Sequence, residues 1–568
     1  MIKSLKIFLM GVGTLLWMTA CQDTLTEHPD SYYEKEDFFT SEAKAEMGVI
    51  GIYNVLPTLY GDSEMAFGAS DDTYYASGTN TDNARRDIAH YMLSTTNKYV
   101  EAVWQATYQG IERANYMIEG IQKMQGFAEN EKLQSLVAEA KFLRAFLSFN
   151  LVKYWGDVPY KTTSTGSYEE AYQPRTSREV IYDQIVDDLD DAKENMSWAN
   201  EASSPERATQ GAARALLMRV LLQRAGYSLQ MDGTMTRPEE ELRQTYFAKV
   251  IDEWEAFQEN GYHDFYEGGY EALFKSFSAG ELKSFSAGEL HSKESIFEVA
   301  FYTVDGRTGA RGYWGTYNGP LVAAPGIEAT ETDKFMGRAN ALFRVIPEWR
   351  DFFEESDVRR DVMICTYQYD WDKTLYNHVK KDNIRNKKNW YPGKWRREWM
   401  PLGYKDPNVT DVNYCSLRYA DVVLMAAEAY NETGETAQAW KLLNRVRQRA
   451  GATEITSANY ASLMKSPKVY DLPFIEDGDE AGRFRTALYW ERGFELAFEL
   501  QRRFDLLRWG VLGDALQLMA SKTVVNQSAE KSFLAGYNFV SGKHELFPIP
   551  LDEIQVNYCL ENKNNPNY

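Results

Sequence analysis

The sequence predicts a mainly α-helical protein. The expected architecture is about four tetratricopeptide-like helical hairpins in a right-handed stack, with a loop-rich irregular insertion carrying short strands. Three observations lead there. Apolar residues recur with a period of 3.6 through several long segments. Two such segments and their turn, at 418–450, span about 34 residues, the period of a tetratricopeptide hairpin. Between roughly 230 and 410 the helical stripes shorten, while Gly, Asn, Asp and aromatic residues rise. A lone hairpin cannot bury its apolar face, so such units are expected to stack. The expected organisation is a signal at 1–20, a tether at 21–40, a helical part at 41–229, an irregular ligand-binding region at 230–410 and a second helical part at 411–568.

Residues 1–20 begin with Lys3 and Lys6, continue as an apolar run and end in Met18-Thr19-Ala20, directly before Cys21. This is the layout of a secretory signal, and its apolar run is shorter than the ~20 residues of a membrane span. A cysteine just after small residues looks like the lipidation site of a bacterial lipoprotein, with Met18 where Leu is usual. Several acyl chains on Cys21 would anchor the chain firmly, at about 0.8 kcal/mol per buried CH₂. An ordinary signal followed by a chance cysteine is the alternative.

Helices follow in order. Residues 41–56 start at a Ser41 cap and carry Ala43, Met47, Ile50 and Tyr53 at helical spacing. Residues 99–125 carry Val100, Val103, Trp104, Ile111, Ile118 and Ile121. Residues 131–155 carry Leu133, Leu136, Leu143, Leu147 and Leu151, and stop at Gly156-Asp157-Val158-Pro159. Residues 177–196 and 209–226 read as a further pair. Ile296–Tyr302 reads as a strand inside the irregular region. Gly434 separates the two helices of 418–450, and one long helix is expected from about Arg483 to Leu507. The octapeptide KSFSAGEL occurs twice in tandem, at 275–282 and 283–290, and reads as a local duplication in a surface loop.

Composition narrows the function. The net charge is −21, and −23 once Lys3 and Lys6 leave with the signal. Nucleic acid wants a basic face, so no nucleic-acid partner is expected. The charge suits a neutral or cationic ligand better than an anionic one. The chain has 37 Tyr and 14 Trp, side chains that suit interfaces and sugar stacking as well as helix packing. Cys365, Cys415 and Cys559 form no zinc pattern, and one disulfide among them is possible. The six histidines are scattered, and the sequence holds no HExxH, GxSxG or Walker A loop. No metal site or cofactor is expected; the acidic run 476–480 lacks the order of a calcium loop and reads as an exposed turn.

Four segments in order carry a resemblance. They are Ala138–Pro159 (AEAKFLRAFLSFNLVKYWGDVP), Arg418–Gly434 (RYADVVLMAAEAYNETG) with Asn444-Arg445-Val446-Arg447, Glu491–Gly510 (ERGFELAFELQRRFDLLRWG), and the C-terminal Lys543–Pro550 (KHELFPIP) with Asn564–Tyr568. Together with the Cys21 signal, they resemble the SusD/RagB family of Bacteroidota surface lipoproteins. The resemblance implies a non-enzymatic protein anchored by lipid on the outer face of the outer membrane. It also implies a lid that captures glycan fragments for a SusC-like TonB-dependent transporter. The peptide-binding RagB branch and a surface glycoside hydrolase are the alternatives. Glu491, Glu495 and Glu499 fall at i, i+4 and i+8, which fits a surface helix face paired with Arg. Asp187, Asp188, Asp190 and Asp191 read as a solvated helix face.

Sugar binding needs aromatic platforms together with Asp, Asn and Arg to meet hydroxyls. Two stretches hold that mixture. One runs from Asp71 to Arg85 and contributes Asp72, Tyr75, Asn80 and Arg85. The other runs from Tyr302 to Asn318 and contributes Arg311, Tyr313, Trp314 and Tyr317 among glycines. Trp314 is the first choice, because glycines around it suggest a loop. Trp371, Trp390, Trp395 and Trp399 form a third group, represented by Trp395. For any one of these rings, core packing is as natural a role as binding.

Overall fold

The computed structural model describes residues 38–61, 67–78, 83–278, 292–302, 310–326, 334–403, 408–460, 478–527, 531 and 534–568. Cys21, the signal, nearly all of the tether, Asn80, the second KSFSAGEL copy and part of the acidic run 476–480 lie outside these residues.

The protein is mainly helical, and its helices stack in chain order. The first is α1 (Glu42–Tyr53), capped by Ser41, whose side chain accepts from the Lys44 N–H. Its face is rotated from the expected one: Ala45, Val49 and Ile52 are buried, while Met47 and Ile50 are exposed. Next come α2 (Lys98–Gln122), α3 (Glu131–Trp155), α4 (Arg178–Asn195) and α5 (Gln210–Ala225), each packed on the one before. The Asn97 side chain caps α2 by accepting from the Tyr99 and Val100 N–H groups. From Phe142 to Trp155, α3 is buried all round, so it is the central helix of this half.

A sixth helix, α6 (Glu240–Asn260), packs between α5 and α7 (Tyr419–Glu432). The irregular region therefore starts after Asn260 rather than at 230. Buried Tyr246, Phe247, Val250, Trp254 and Phe257 give α6 a stripe of its own. The hairpin α6/α7 is thus interrupted by some 160 residues of chain. After Gly434, at φ +90°, α8 (Thr436–Arg449) packs on α7.

The long helix expected at 483–507 is two helices, α9 (Glu480–Leu496) and α10 (Arg502–Arg508). Between them Phe498 and Leu500 adopt left-handed φ of +70° and +67°, an uncommon backbone for non-glycine residues. A buried ion network holds this break in place. Glu491, Glu495 and Glu499 are buried rather than on a surface face. Arg359 Nη1 lies 2.6 Å from Glu491 and 3.0 Å from Glu495, and Arg418 lies 2.6 Å from Glu495 and 2.7 Å from Glu499. Arg449 and Lys394 complete the set through Glu495 and Glu499. Burial alone would push the Glu495 carboxyl up, but Arg449, Arg418 and Arg359 outweigh it and hold it down at about 2. Likewise Asp188 is no solvated acid: it is buried against Arg144, at 2.7 Å. Asp190 and Asp191 pair with Lys249 and Lys141.

The four segments that carried the resemblance meet in space. Trp155 Nε1 donates to the Pro548 carbonyl, Asn565 Nδ2 donates to the carbonyls of Trp155 and Phe547, and Arg503 donates to that of His544. They are packing and hydrogen-bonding partners, which is why they occur together. Cys365, Cys415 and Cys559 are free thiols. Strands come as two-stranded pairs among the described residues. Two pairs matter for the site. One joins β1 (Tyr74–Ala76) to β3 (Phe343–Val345), and the other joins β2 (Ser295–Val299) to β4 (Tyr414–Arg418); both are antiparallel.

Candidate functional site

The β1–β3 pair brings the two predicted stretches together. Tyr74 pairs with Val345, Tyr75 with Arg344 and Ala76 with Phe343. The Phe343 and Ala341 N–H groups donate to the carbonyls of Tyr317 and Thr316, at 3.0 and 2.8 Å. The loop after α1 is thereby fastened to the segment 313–317. That segment is a single helical turn, closed by the Tyr317 N–H donating to the Tyr313 carbonyl at 3.0 Å. Residues at i and i+4 of a helical turn share a side. Tyr313 and Tyr317 accordingly stack, with ring centroids 4.6 Å apart and planes 4° from parallel, both half-buried.

Arg85 lies against the outer side of this pair. Its guanidinium carbon is 5.0 Å from the Tyr317 ring and 4.8 Å from the Tyr99 ring, and it donates to the Tyr99 hydroxyl. Asn83 (φ +49°) holds the turn before it, with its N–H donating to Asp87 at 2.7 Å and its side chain to the Thr96 carbonyl at 3.1 Å. On the other side, Tyr313 borders an open groove of about 910 Å³, lined also by Tyr53, Tyr302, Arg207 and exposed Arg311. In the groove Asn413 Nδ2 donates to Glu206 and Glu298, at 2.8 and 3.0 Å, so one amide ties the two carboxylates together. The result is a half-buried aromatic ledge beside a polar groove, with guanidinium groups on both flanks. Such a surface offers the Tyr313 ring, the edge of Tyr317 and fixed hydrogen-bonding groups to one ligand.

Other predicted residues are elsewhere. Trp314 is wholly buried, not a ring in a mobile loop. One position along the same turn points it inward, where Nε1 donates to the Tyr60 carbonyl at 3.0 Å and the ring stacks on Tyr414 at 4.5 Å. The surrounding glycines mark close packing. A Cβ at Gly319 would sit 2.3 Å from the Gly315 carbonyl oxygen, and Gly315 itself has φ +80°. Trp395 is also wholly buried, 4.7 Å from Trp314. Tyr75 is buried in β1. Asp72 is buried too, accepting from Arg502 at 2.8 and 3.0 Å and from the Tyr489 hydroxyl at 2.8 Å. None of these four reaches a ligand on the surface. Beside Asp72, burial and then the Asp72 charge push the Asp71 carboxyl up to about 7. Of the third group, Trp390 is buried as well, and half-buried Trp371 and Trp399 pack against Phe335 and Arg396.

Tyr99, Tyr53 and Arg207 were not chosen from sequence as site residues. Tyr99 carried a usable signal: it precedes the buried stripe of α2 by one position, so its ring falls at the edge of that helix. Tyr53 and Arg207 carried none, since only folding brings them to one groove.

Sequence models of known families match most of the chain. One described as "SusD family" matches residues 293–568, and one described as "Starch-binding associating with outer membrane" matches 23–222. SusD-like protein P25 of Formosa agariphila is 24% identical over 577 residues, covering 95% of both chains. A solved SusD homolog from Bacteroides thetaiotaomicron has a TM-score of 0.74 at 26% identity, over 95% of this chain and 100% of that one. A solved laminarin binding SusD-like protein has a TM-score of 0.63 at 23% identity, over 93% of this chain and 100% of that one, and shares the fold. With two such models between them spanning both halves, and with the fold to match, the chain belongs to the SusD/RagB family.

Proposed function

We propose that this protein binds glycans on the ledge formed by Arg85, Tyr99, Tyr313 and Tyr317, and in the groove beside it. The observation that carries the reading is the parallel-stacked Tyr313–Tyr317 pair, covered by Arg85 at Tyr317 and bordering the groove at Tyr313. Pyranose rings present flat C–H faces to aromatic planes and hydroxyls to fixed polar groups, and this surface has both. The family descriptions and the laminarin binding relative support carbohydrate as the ligand class. The reading extends to the cell. A lipid on Cys21 tethers the protein to the outer membrane on its extracellular side, and a SusC-like TonB-dependent transporter receives the captured oligosaccharide beneath it as beneath a lid. The protein acts as a carrier and leaves its cargo intact. Glu206, held by Asn413, serves as a hydroxyl acceptor in the groove.

Affinity electrophoresis of the mature chain over a panel of polysaccharides tests the ligand class, and Tyr313→Ala with Tyr317→Ala tests the place. Retardation by one linkage class, lost in the double variant, is the expected result. Failure of every glycan to bind overturns the reading. Recovery of a TonB-dependent barrel with the native protein tests the partner, and mass spectrometry of the first mature residue tests the anchor.

A further inference from the structure

A second aromatic surface lies away from the ledge. Tyr168 and Tyr558 are 73% and 70% exposed, more than any other large apolar or aromatic residue among those described. Though 390 positions apart in sequence, they meet on either side of Tyr172. The Tyr168 and Tyr172 rings are 5.0 Å apart and edge-on, and those of Tyr172 and Tyr558 are 5.4 Å apart and tilted. The cluster is held by design of the backbone around it. Asn557 Nδ2 donates to the Gln173 carbonyl at 3.1 Å, and Arg175 donates to Asn565 at 2.9 Å and to the Lys563 carbonyl at 3.2 Å. The Tyr172 hydroxyl donates to that of Tyr168 at 2.6 Å.

We propose that Tyr168, Tyr172 and Tyr558 form a second platform for a neutral glycan chain, used together with the ledge. This rests on the glycan reading above. Three observations select the occupant. Three tyrosines offer at most about 450–750 Å², and Tyr172 is already partly covered, which falls short of the ~800 Å² per partner of a stable protein interface. Exposed Glu169 and Glu170 beside the rings, with Glu553 close enough to act on Tyr172, disfavour sulfated or uronate chains. Finally, the two surfaces are joined. The short helix Leu551–Val556 leads to Tyr558, and the Leu551 N–H at its start donates to the Thr95 carbonyl at 2.9 Å, four residues before Tyr99. That helix is about 9 Å long, so a glycan chain laid along it meets both sets of rings, whereas a disaccharide fills one.

The test uses the full mature chain and four variants: Tyr168→Ala with Tyr558→Ala, Tyr313→Ala with Tyr317→Ala, all four alanines together, and Tyr168→Phe with Tyr558→Phe. Electrophoresis in gels containing laminarin, starch, xylan or galactomannan reads polymer binding, and calorimetry with disaccharides of the same linkages reads the short ligand. The Tyr168/Tyr558 variant should keep its melting temperature and its disaccharide affinity but bind the polymer threefold to tenfold more weakly. The corresponding Tyr→Phe pair should keep most of the polymer binding. Unchanged polymer binding in the Tyr168/Tyr558 variant, with loss in the Tyr313/Tyr317 variant, overturns this inference and leaves the ledge standing. No retardation of the unaltered chain overturns both. Loss of sedimentation with phospholipid vesicles, rather than loss of glycan, would make the cluster a membrane contact and also overturn it.

Discussion

Tyr313 and Trp314 are neighbours in sequence and opposites in role. Tyr313, with Tyr317 four positions on, faces out and builds the ledge. Trp314 faces in and joins Tyr60, Tyr414 and Trp395 in a buried column of rings. The two sets have the same residue chemistry and the same glycine-rich surroundings. What separates them is rotation, since consecutive residues of a helical turn point about 100° apart. Aromatic content in a loop therefore says nothing about binding until the turn is placed. The same division runs through the other stretch, where Asp72 and Tyr75 are buried and Arg85 reaches the ledge.

Substitutions should divide along this line. The largest effects belong to the inner face. Asp72→Ala leaves the Arg502 guanidinium buried without its carboxylate, and should cost about 3–5 kcal/mol in urea unfolding. Trp314→Ala removes a wholly buried ring and its bond to Tyr60, and should cost about 3–5 kcal/mol. Either protein at full stability would break the comparison, because the buried set would then be dispensable.

A pH effect comes next. Between the usual carboxylate value near 4 and about 7, folded Asp71 keeps a proton that the unfolded chain has released. Stability contributed by that proton is therefore lost as pH rises through this window. Asp71→Asn should flatten the fall between pH 4 and pH 7, by on the order of 1–4 kcal/mol, read from melting curves at each pH.

The outer face should give smaller effects, and on binding rather than folding. Tyr317→Ala should leave the melting temperature within a few degrees while weakening the glycan about tenfold, or ~1.4 kcal/mol. Arg85→Lys keeps the charge but loses the planar group between two rings. It should weaken binding about twofold to fivefold by calorimetry. If Tyr317→Ala unfolds the protein, the ledge is core and the division fails.

Much of the fold was legible. Helical periodicity located α2, α3, α4, α5, α7 and α8, and the Ser41 cap sat where its side chain acts. The misses have physical causes. α6 was read as irregular because its stripe is built from Tyr, Phe and Trp among charges. The break between α9 and α10 was invisible because Phe498 and Leu500, rather than glycines, take the left-handed backbone. The buried carboxylates looked solvated because their arginine partners come from distant segments, such as Arg359 and Arg418.

Local spacing by itself determined the helices, the order of the four family segments and the two stretches that meet at the ledge, because periodicity and motif order are properties of the chain alone. Tertiary structure decided which rings face water, which acids find arginines and how Tyr172 comes to lie beside Tyr558. Those outcomes depend on side-chain rotation and on pairing between residues far apart in sequence, and neither is encoded in any one segment.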